Sequence, residues 1–277
     1  PLWSRGLGDV YKRQDYSFAN FYLFRQAHQY RYVAGEWPCL TGLSYDGEAC
    51  VWPLFDVTPM PLKLLESWCA QLNLPHAVLF PLAESQVHGW GALGGRCVAH
   101  RDDADYVYPA DQFRHYPGAA LHNKRNLVRQ LLSAHSVTVQ AYDDHCRQGA
   151  QAVLADWMRA KGKAPGEADE APCLEALQHF EQLGLHGYFY QVDGQPAGFV
   201  LAESLSPGVW VMRFAKGLDH LKGIYQFMFQ HVCVANPDLK WLNFEQDLGV
   251  ENLRQTKLSY QPAYLLSKYR LQVLPSA

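Results

Sequence analysis

The sequence predicts an α/β (α+β) fold in which mixed sheets are flanked by helices. Short runs rich in β-branched and aromatic residues are typical of strands, and they alternate with longer amphipathic segments of helical periodicity. From Val137 onwards the predicted order is β-α-α-β-β-β-α-β-α-β. The 277 residues suffice for one large domain or two small ones, and their 13% aromatic content indicates a substantial core.

The first half of the chain is predicted to combine two helices with four short strands. Asp46-Gly47 lies between two strand-like runs, as in a hairpin turn, and Pro61 suits the first position of a helix. The glycine-rich segment 89–95 is predicted to be a loop, since no helix of the dinucleotide-binding kind follows it. The helices are predicted at 15–26 and 61–72, and the strands at 30–34, 40–45, 49–54 and 77–81.

The second half is predicted to contain five helices and six strands. Gly184 and Asn236-Pro237 are typical of residues that end a helix. The segment 161–172 combines glycine, proline and acidic residues, which predicts a mobile loop. The helices are predicted at 121–135, 143–161, 173–183, 220–235 and 250–259, and the strands at 137–142, 188–192, 197–203, 209–214, 241–245 and 264–273.

The segment 4–14 (SRGLGDVYKRQ) corresponds to an in-frame reading of a transposase-type sequencing adapter. Residues 1–14 are therefore predicted to be a scar that is not native. The segment carries a net charge of +2, so removing it changes the net charge from −3 to −5. An acidic chain does not favour a broad nucleic-acid-binding face, although a local basic groove is compatible with it.

Cysteine and histidine usage favours neither a disulfide framework nor a metal site. The seven cysteines are scattered and form no CxxC pair, which indicates reduced thiols in a cytosolic protein. The twelve histidines have no metal-ligand spacing with them. No apolar run approaches the roughly 18 residues that span a bilayer. We therefore expect a soluble protein that is located in the cytoplasm or at the inner surface of the membrane.

Several segments together resemble one known family. They are HNKRNLVRQLL at 122–132, YxVDGxPAGFxLAE at 190–203, RFAKG and KGIYQFMF within 213–229, and NFEQDLGVENLRQTKLSYQPAYLLSKY at 243–269. SFANFYLFR at 17–25 and DADYVY at 103–108 fit the same pattern. The set resembles the family of unknown function typified by the C-terminal domain of phosphatidylglycerol lysyltransferases, and the element order resembles a GNAT acyltransferase domain.

This resemblance implies two tandem GNAT-like domains, at 15–117 and 118–277, each a mixed central sheet flanked by helices. It also implies an aminoacyl- or acyltransferase, since the best-known members move an aminoacyl group from aminoacyl-tRNA to the head group of a membrane lipid. Aminoacyl-tRNA is thus the expected donor. The expected acceptor is a phospholipid head group or another amine or hydroxyl compound.

Candidate catalytic carboxylates lie at the C-terminal end of the predicted strand 241–245. Acyl transfer needs a group that deprotonates the acceptor, and it needs stabilisation of the developing oxyanion. Glu245 and Asp247 are two residues apart, a spacing that places strand side chains on one side. Either can act as a base or bind an acceptor ammonium, and Asn243 is expected to bind substrate beside them. The alternative is that Asp247 caps the next helix and Glu245 pairs with a lysine or arginine.

Cations at the preceding strand end are candidate anion-binding residues. Arg213 and Lys216 can hold a phosphate or carboxylate, and Lys222-Gly223 opens a helix whose N-terminus favours anions. Many GNAT enzymes bind coenzyme A through R/Q-x-x-G-x-G/A at this turn. The turn reads KGLDHLKG at 216–223, so acetyl-CoA is the less favoured donor. The alternative is that these lysines are solvated turn residues.

A second basic group lies on the predicted helix 121–135. Lys124, Arg125 and Arg129 are expected to contact a tRNA acceptor stem or a lipid phosphate by charge, although a solvated basic helix fits equally well. Asn126, on the same helix, is a further candidate for substrate binding. Lys257 is a further candidate for substrate binding, and Lys268 adds positive charge near the last strand.

Three functions remain open at this point. The first is the aminoacyl- or acyltransferase described above. The second is a coenzyme A-dependent N-acyltransferase that acts on a small molecule. The third is a catalytically silent binding module that keeps the fold. No GxSxG, HExxH or P-loop motif supports another chemistry.

Overall fold

A computed structural model describes residues 14–72, 74, 77–90 and 96–272. The strands are β1 (Arg31–Val33), β2 (Cys39–Leu43), β3 (Ala49–Pro53), β4 (Val78–Leu82), β5 (Cys97–Ala99), β6 (Asp105–Pro109), β7 (Val137–Ala141), β8 (Leu185–Val192), β9 (Gln195–Ser206), β10 (Val209–Gly217), β11 (Trp241–Asn243), β12 (Tyr264–Leu266) and β13 (Tyr269–Gln272). The helices are α1 (Phe18–Leu23), α2 (Leu62–Gln71), α3 (Glu84–His88), α4 (Ala110–His115), α5 (His122–Ala134), α6 (Arg147–Ala160), α7 (Glu170–Gln178), α8 (Ile224–Ala235) and α9 (Glu251–Leu258).

These strands form two mixed sheets. The first has the order β1-β2-β3-β4-β13-β5, and the second has the order β12-β6-β11-β10-β9-β8-β7. Each sheet contains a parallel pair, β3 with β4 in the first and β10 with β11 in the second. This confirms the predicted α/β class with two mixed sheets flanked by helices.

Two compact units divide the chain, and neither is continuous in sequence. The first comprises the residues up to Asp105 together with Gln246–Arg254 and the residues from Leu265 onwards, and the second comprises Tyr106–Glu245 and Gln255–Tyr264. The structure therefore differs from a single boundary near residue 117. The reason is strand pairing, since β6 pairs with β11 of the second sheet and β13 pairs with β4 and β5 of the first.

The first unit combines an apolar core with buried ion pairs. Leu65 and Trp68 of α2 belong to a cluster with buried residues of β3 and β4. Lys268 is completely buried, and its Nζ lies 2.5 Å from a carboxylate oxygen of Asp15 and 2.6 Å from one of Asp105. The sequence placed Lys268 near the last strand, but its burial depends on sheet pairing that a linear pattern does not reveal.

The second unit has an aromatic core beneath α8. Phe113 lies within 6.0 Å, between ring centroids, of Tyr108, Phe229, Phe244 and Tyr260. These contacts join α4, β6 and α8 to the chain that follows β11. This aromatic packing fixes the end of β11, which precedes Glu245, against the core of the second unit.

Most predicted elements are present, with shifted ends. β10 extends to Gly217, β11 already ends at Asn243, and the helix predicted at 220–235 begins at Ile224. Sequence analysis did not predict α3, α4, β5 or β6. Of the predicted scar and glycine-rich loop, residues 1–13 and 91–95 lie outside the described residues. Across the part that is described, no helix is long and apolar enough to cross a membrane.

Candidate functional site

The candidate site lies in the second unit, where β10 continues past the end of β11. The parallel ladder between these strands pairs Val209 with Trp241 and ends at Val211 and Asn243, while β10 runs on to Gly217. The register of β10 against β9 shifts between Met212 and Phe214, which marks a β-bulge at Arg213. A bulge re-aims the side chain of the extra residue, and bulges are frequent beside active sites.

Arg213 connects two carboxylates at this bulge. Its completely buried guanidinium donates from Nε and Nη2 to Oε2 of Glu203, at 2.9 and 2.8 Å, and from Nη1 to Oε1 of Glu245 at 2.6 Å. Burial lowers the pKa of Arg213, but the attraction of Glu203 and Glu245 outweighs burial and raises it. The guanidinium is therefore a permanent cation that fixes both carboxylates.

Glu245 has an unusual backbone conformation. Its φ is +58°, in the left-handed region that non-glycine residues seldom adopt. Its backbone N–H donates to Oδ1 of Asn243 at 2.7 Å, and its carbonyl accepts from the N–H of Tyr106 at 3.2 Å. The side chain of Glu245 remains 25% exposed. A residue held in such a conformation by its neighbours is a candidate for a functional position.

Lys257 fixes the same turn from α9. Its Nζ donates to the carbonyl oxygens of Phe244 at 2.6 Å and Glu245 at 3.2 Å. The structure thus brings together four of the residues proposed from sequence, namely Arg213, Asn243, Glu245 and Lys257. Asn243 and Lys257 act on the backbone of the turn, so they position Glu245.

Lys216 lies further along β10 and has a different partner. Its Nζ lies 2.7 and 2.9 Å from the two carboxylate oxygens of Asp169 and 3.7 Å from the centroid of the Trp157 ring. Nε1 of Trp157 donates to the hydroxyl of Tyr225 at 3.0 Å. Burial raises the pKa of Tyr225 to about 12, so this hydroxyl stays neutral. Lys216 is therefore a buried cation in an aromatic setting.

Lys222 and Gly223 occupy the start of α8. Lys222 is exposed, and Gly223 has a φ of +94°. A Cβ at Gly223 would lie 2.2 Å from the carbonyl oxygen of Leu127, so only glycine fits there. Gly223 therefore allows the start of α8 to pack closely against α5. This role is observed in the structure and does not depend on anion binding.

Asp247 belongs to the first unit and is completely buried. It accepts hydrogen bonds from Nη1 of Arg101 at 3.2 Å, from Nε of Arg254 at 2.9 Å and from the N–H of Gly249 at 3.0 Å. β11 ends before Glu245, so the strand spacing that placed both carboxylates on one side does not apply. The contact with Gly249 places Asp247 in the turn before α9, whereas the alternative stated from sequence was that Asp247 caps this helix.

The basic residues of α5 contact other parts of the second unit. Lys124 donates to Oγ of Ser259 at 2.7 Å and lies over the Tyr260 ring, and burial lowers its pKa. Arg125 donates to the carbonyl of Tyr116, and Asn126 pairs with His122. Within the described part of the chain, none of the three contacts Glu245.

Sequence reasoning missed three residues of this region, Glu203, Asp169 and Trp157. Glu203 is opposite Val211 on the neighbouring antiparallel strand, so the register of β9 and β10 was needed to find it. Asp169 is in the acidic segment that was predicted to be mobile. Trp157 has no sequence signal beyond its place on an amphipathic helix.

Comparison with solved structures finds proteins that share this fold. Similar structures include a conserved protein of unknown function from Bacteroides thetaiotaomicron, with 22% identity, a TM-score of 0.81, and coverage of 94% of this chain and 90% of that one. A C-terminal domain assigned to a lysylphosphatidylglycerol synthetase of Agrobacterium fabrum has 13% identity, a TM-score of 0.64, and coverage of 95% and 89%. L-PGS from Bacillus licheniformis has 10% identity, a TM-score of 0.61, and coverage of 94% and 93%.

These likenesses are below 25% identity and show the shared fold. Among the curated proteins, none matches. The sequence model of the family described as "Phosphatidylglycerol lysyltransferase, C-terminal" matches residues 9–272, which is most of the chain. The chain therefore belongs to the family of the phosphatidylglycerol lysyltransferase C-terminal domain.

Proposed function

We propose that this protein is an aminoacyl- or acyltransferase that uses Glu245 as its central carboxylate. The donor is aminoacyl-tRNA, and the acceptor is an amine or hydroxyl compound such as a phospholipid head group. The observation that carries this proposal is the position of Glu245, which is partly exposed, held in a left-handed conformation and fixed by a buried arginine at 2.6 Å. Family membership supports the same reaction class.

In this proposal Glu245 takes the proton of the acceptor. The acceptor oxygen or nitrogen attacks the carbonyl carbon of the donor ester, the bond between that carbon and the ribose oxygen breaks, and the ribose oxygen is protonated. Arg213 orients the carboxylate and stays bound to it. A carboxylate that is already held in position needs little rearrangement during the reaction.

Donor binding separates the three candidate functions. We expect an aminoacyl-tRNA to raise the melting temperature by about 5 °C at a hundred times its Kd, since ligand binding stabilises the folded state by about 2.7 kcal/mol there. Acetyl-CoA and deacylated tRNA are the comparison ligands. Stabilisation by acetyl-CoA alone would favour the coenzyme A-dependent enzyme. No stabilisation by either donor would favour the silent binding module.

A further inference from the structure

Besides Asp169, the Trp157 ring contacts the ammonium of Lys216. Lys216 is on β10, whose backbone is paired with β9 as far as Gly217. The Trp157 ring beneath Nζ is fixed through Tyr225, whose hydroxyl exchanges hydrogen bonds with the N–H and carbonyl of Gly217, each at 3.2 Å. A strand and an aromatic face thus form a rigid cation site, and a cation over an indole ring is stabilised there.

Asp169, in contrast, comes from an exposed segment. Residues 161–168 are all exposed, and the side chain of Asp169 itself is 33% exposed. Three residues of the segment, Gly162, Gly166 and Ala168, have φ between +54° and +83°. Asp169 precedes α7 as its N-cap but makes no capping hydrogen bond. An aspartate at that position ordinarily caps its helix, so its carboxylate is diverted to Lys216.

A single further ion pair ties the segment to the turn after β10, among the residues that the structure describes. Nζ of Lys161 lies 2.5 Å from a carboxylate oxygen of Asp219, and both side chains are about two-fifths exposed. Exposed pairs of this kind contribute little to stability. The segment can therefore leave β10 at small cost once Asp169 is displaced.

We propose that Lys216 and Trp157 form a phosphate-binding site. In the structure the carboxylate of Asp169 occupies this site. A phosphate group of a substrate binds there by displacing residues 161–169. Asp169 already places two oxygens of one anion at hydrogen-bond distance from Nζ. A phosphate offers the same pair of oxygens with at least equal charge. The released carboxylate can then cap α7. This inference rests on the proposed function for the identity of the substrate.

The test measures phosphate binding by calorimetry at constant ionic strength, with inorganic phosphate and dimethyl phosphate as the two probes. Asp169→Asn removes the competing charge and keeps the side-chain shape, so we expect its Kd for phosphate to be at least ten times lower than that of the wild type. Lys216→Met in the same background should abolish binding. Glu181→Gln, an exposed acid outside this segment, is the matched control and should behave as the wild type.

Preference for inorganic phosphate would identify a terminal phosphate as the ligand, and preference for dimethyl phosphate would identify a phosphodiester. Either result supports the site. Equal affinity of the wild type, Asp169→Asn and Asp169→Asn with Lys216→Met for both probes would overturn it.

Hydrogen exchange gives an independent readout in the unmodified protein. We expect phosphate to accelerate amide exchange across 161–170 and to leave α6 unchanged. Unchanged exchange across 161–170 at saturating phosphate would also overturn the inference. Neither readout requires transfer, so a protein that binds phosphate in this way without donor binding would contradict only the proposed function.

Discussion

Lys268→Met is expected to lower the free energy of unfolding by about 3–5 kcal/mol, because it removes one partner of a buried ion cluster. The ammonium of Lys268 lies between Asp15 and Asp105 and also donates to Oε1 of Gln246 at 3.2 Å. Methionine has a similar volume, so the cost comes from leaving two buried carboxylates without their cation. Urea unfolding measures this change, and the exposed Lys222→Met is the matched control.

The stability that Lys268 contributes depends on pH with a definite sign. Burial lowers the pKa of Lys268, but the attraction of Asp105 and Asp15 outweighs it and raises the pKa above its ordinary value. The stabilisation is therefore fully present below the ordinary lysine pKa and is lost only as the pH rises through the raised pKa. A loss similar to that of Lys222→Met would contradict this account of the first unit.

Arg213→Met is expected to lower the free energy of unfolding by about 3 kcal/mol. It leaves Glu203 and Glu245 as two like charges in a site where their side chains are only 13% and 25% exposed. The sharper test measures how Glu203→Gln changes the free energy of unfolding in the wild type and in Arg213→Met. In the wild type it weakens an ion pair and destabilises the protein, whereas in Arg213→Met it removes repulsion and stabilises it. The same sign in both backgrounds would contradict the shared role of Arg213.

Regular elements and the two-sheet class could be predicted from the sequence because periodicity and turn residues are local signals. β6 and α4 were missed because Asp105–His115 combines a short aromatic run with Pro109, a pattern without clear periodicity. The division near residue 117 stays a prediction, and the two compact units are not continuous in sequence. A domain boundary that depends on the sheet in which β13 pairs cannot be predicted from local sequence patterns.

The residues of the candidate site that lie at strand ends could be predicted from the sequence. Those whose position depends on the pairing register of two strands could not. Arg213, Asn243 and Glu245 were found because polar residues at strand ends are conspicuous in sequence. Glu203 was hidden, since its role comes from the bulge that turns Arg213 towards it. Asp247 appeared equivalent to Glu245, but the early end of β11 removes the alternation that would have aligned them. Lys216 was found, whereas its partner Asp169 lies 47 residues away in sequence.

The most direct test of the central claim is the single-turnover rate of aminoacyl transfer by Glu245→Gln. The change keeps the shape of the side chain and removes the carboxylate, so we expect the rate to fall by about 100-fold or more. Glu181→Gln, an exposed acid of the same unit, should retain the wild-type rate. A Glu245→Gln protein that transfers as fast as the wild type would contradict the assignment of Glu245 as the central carboxylate.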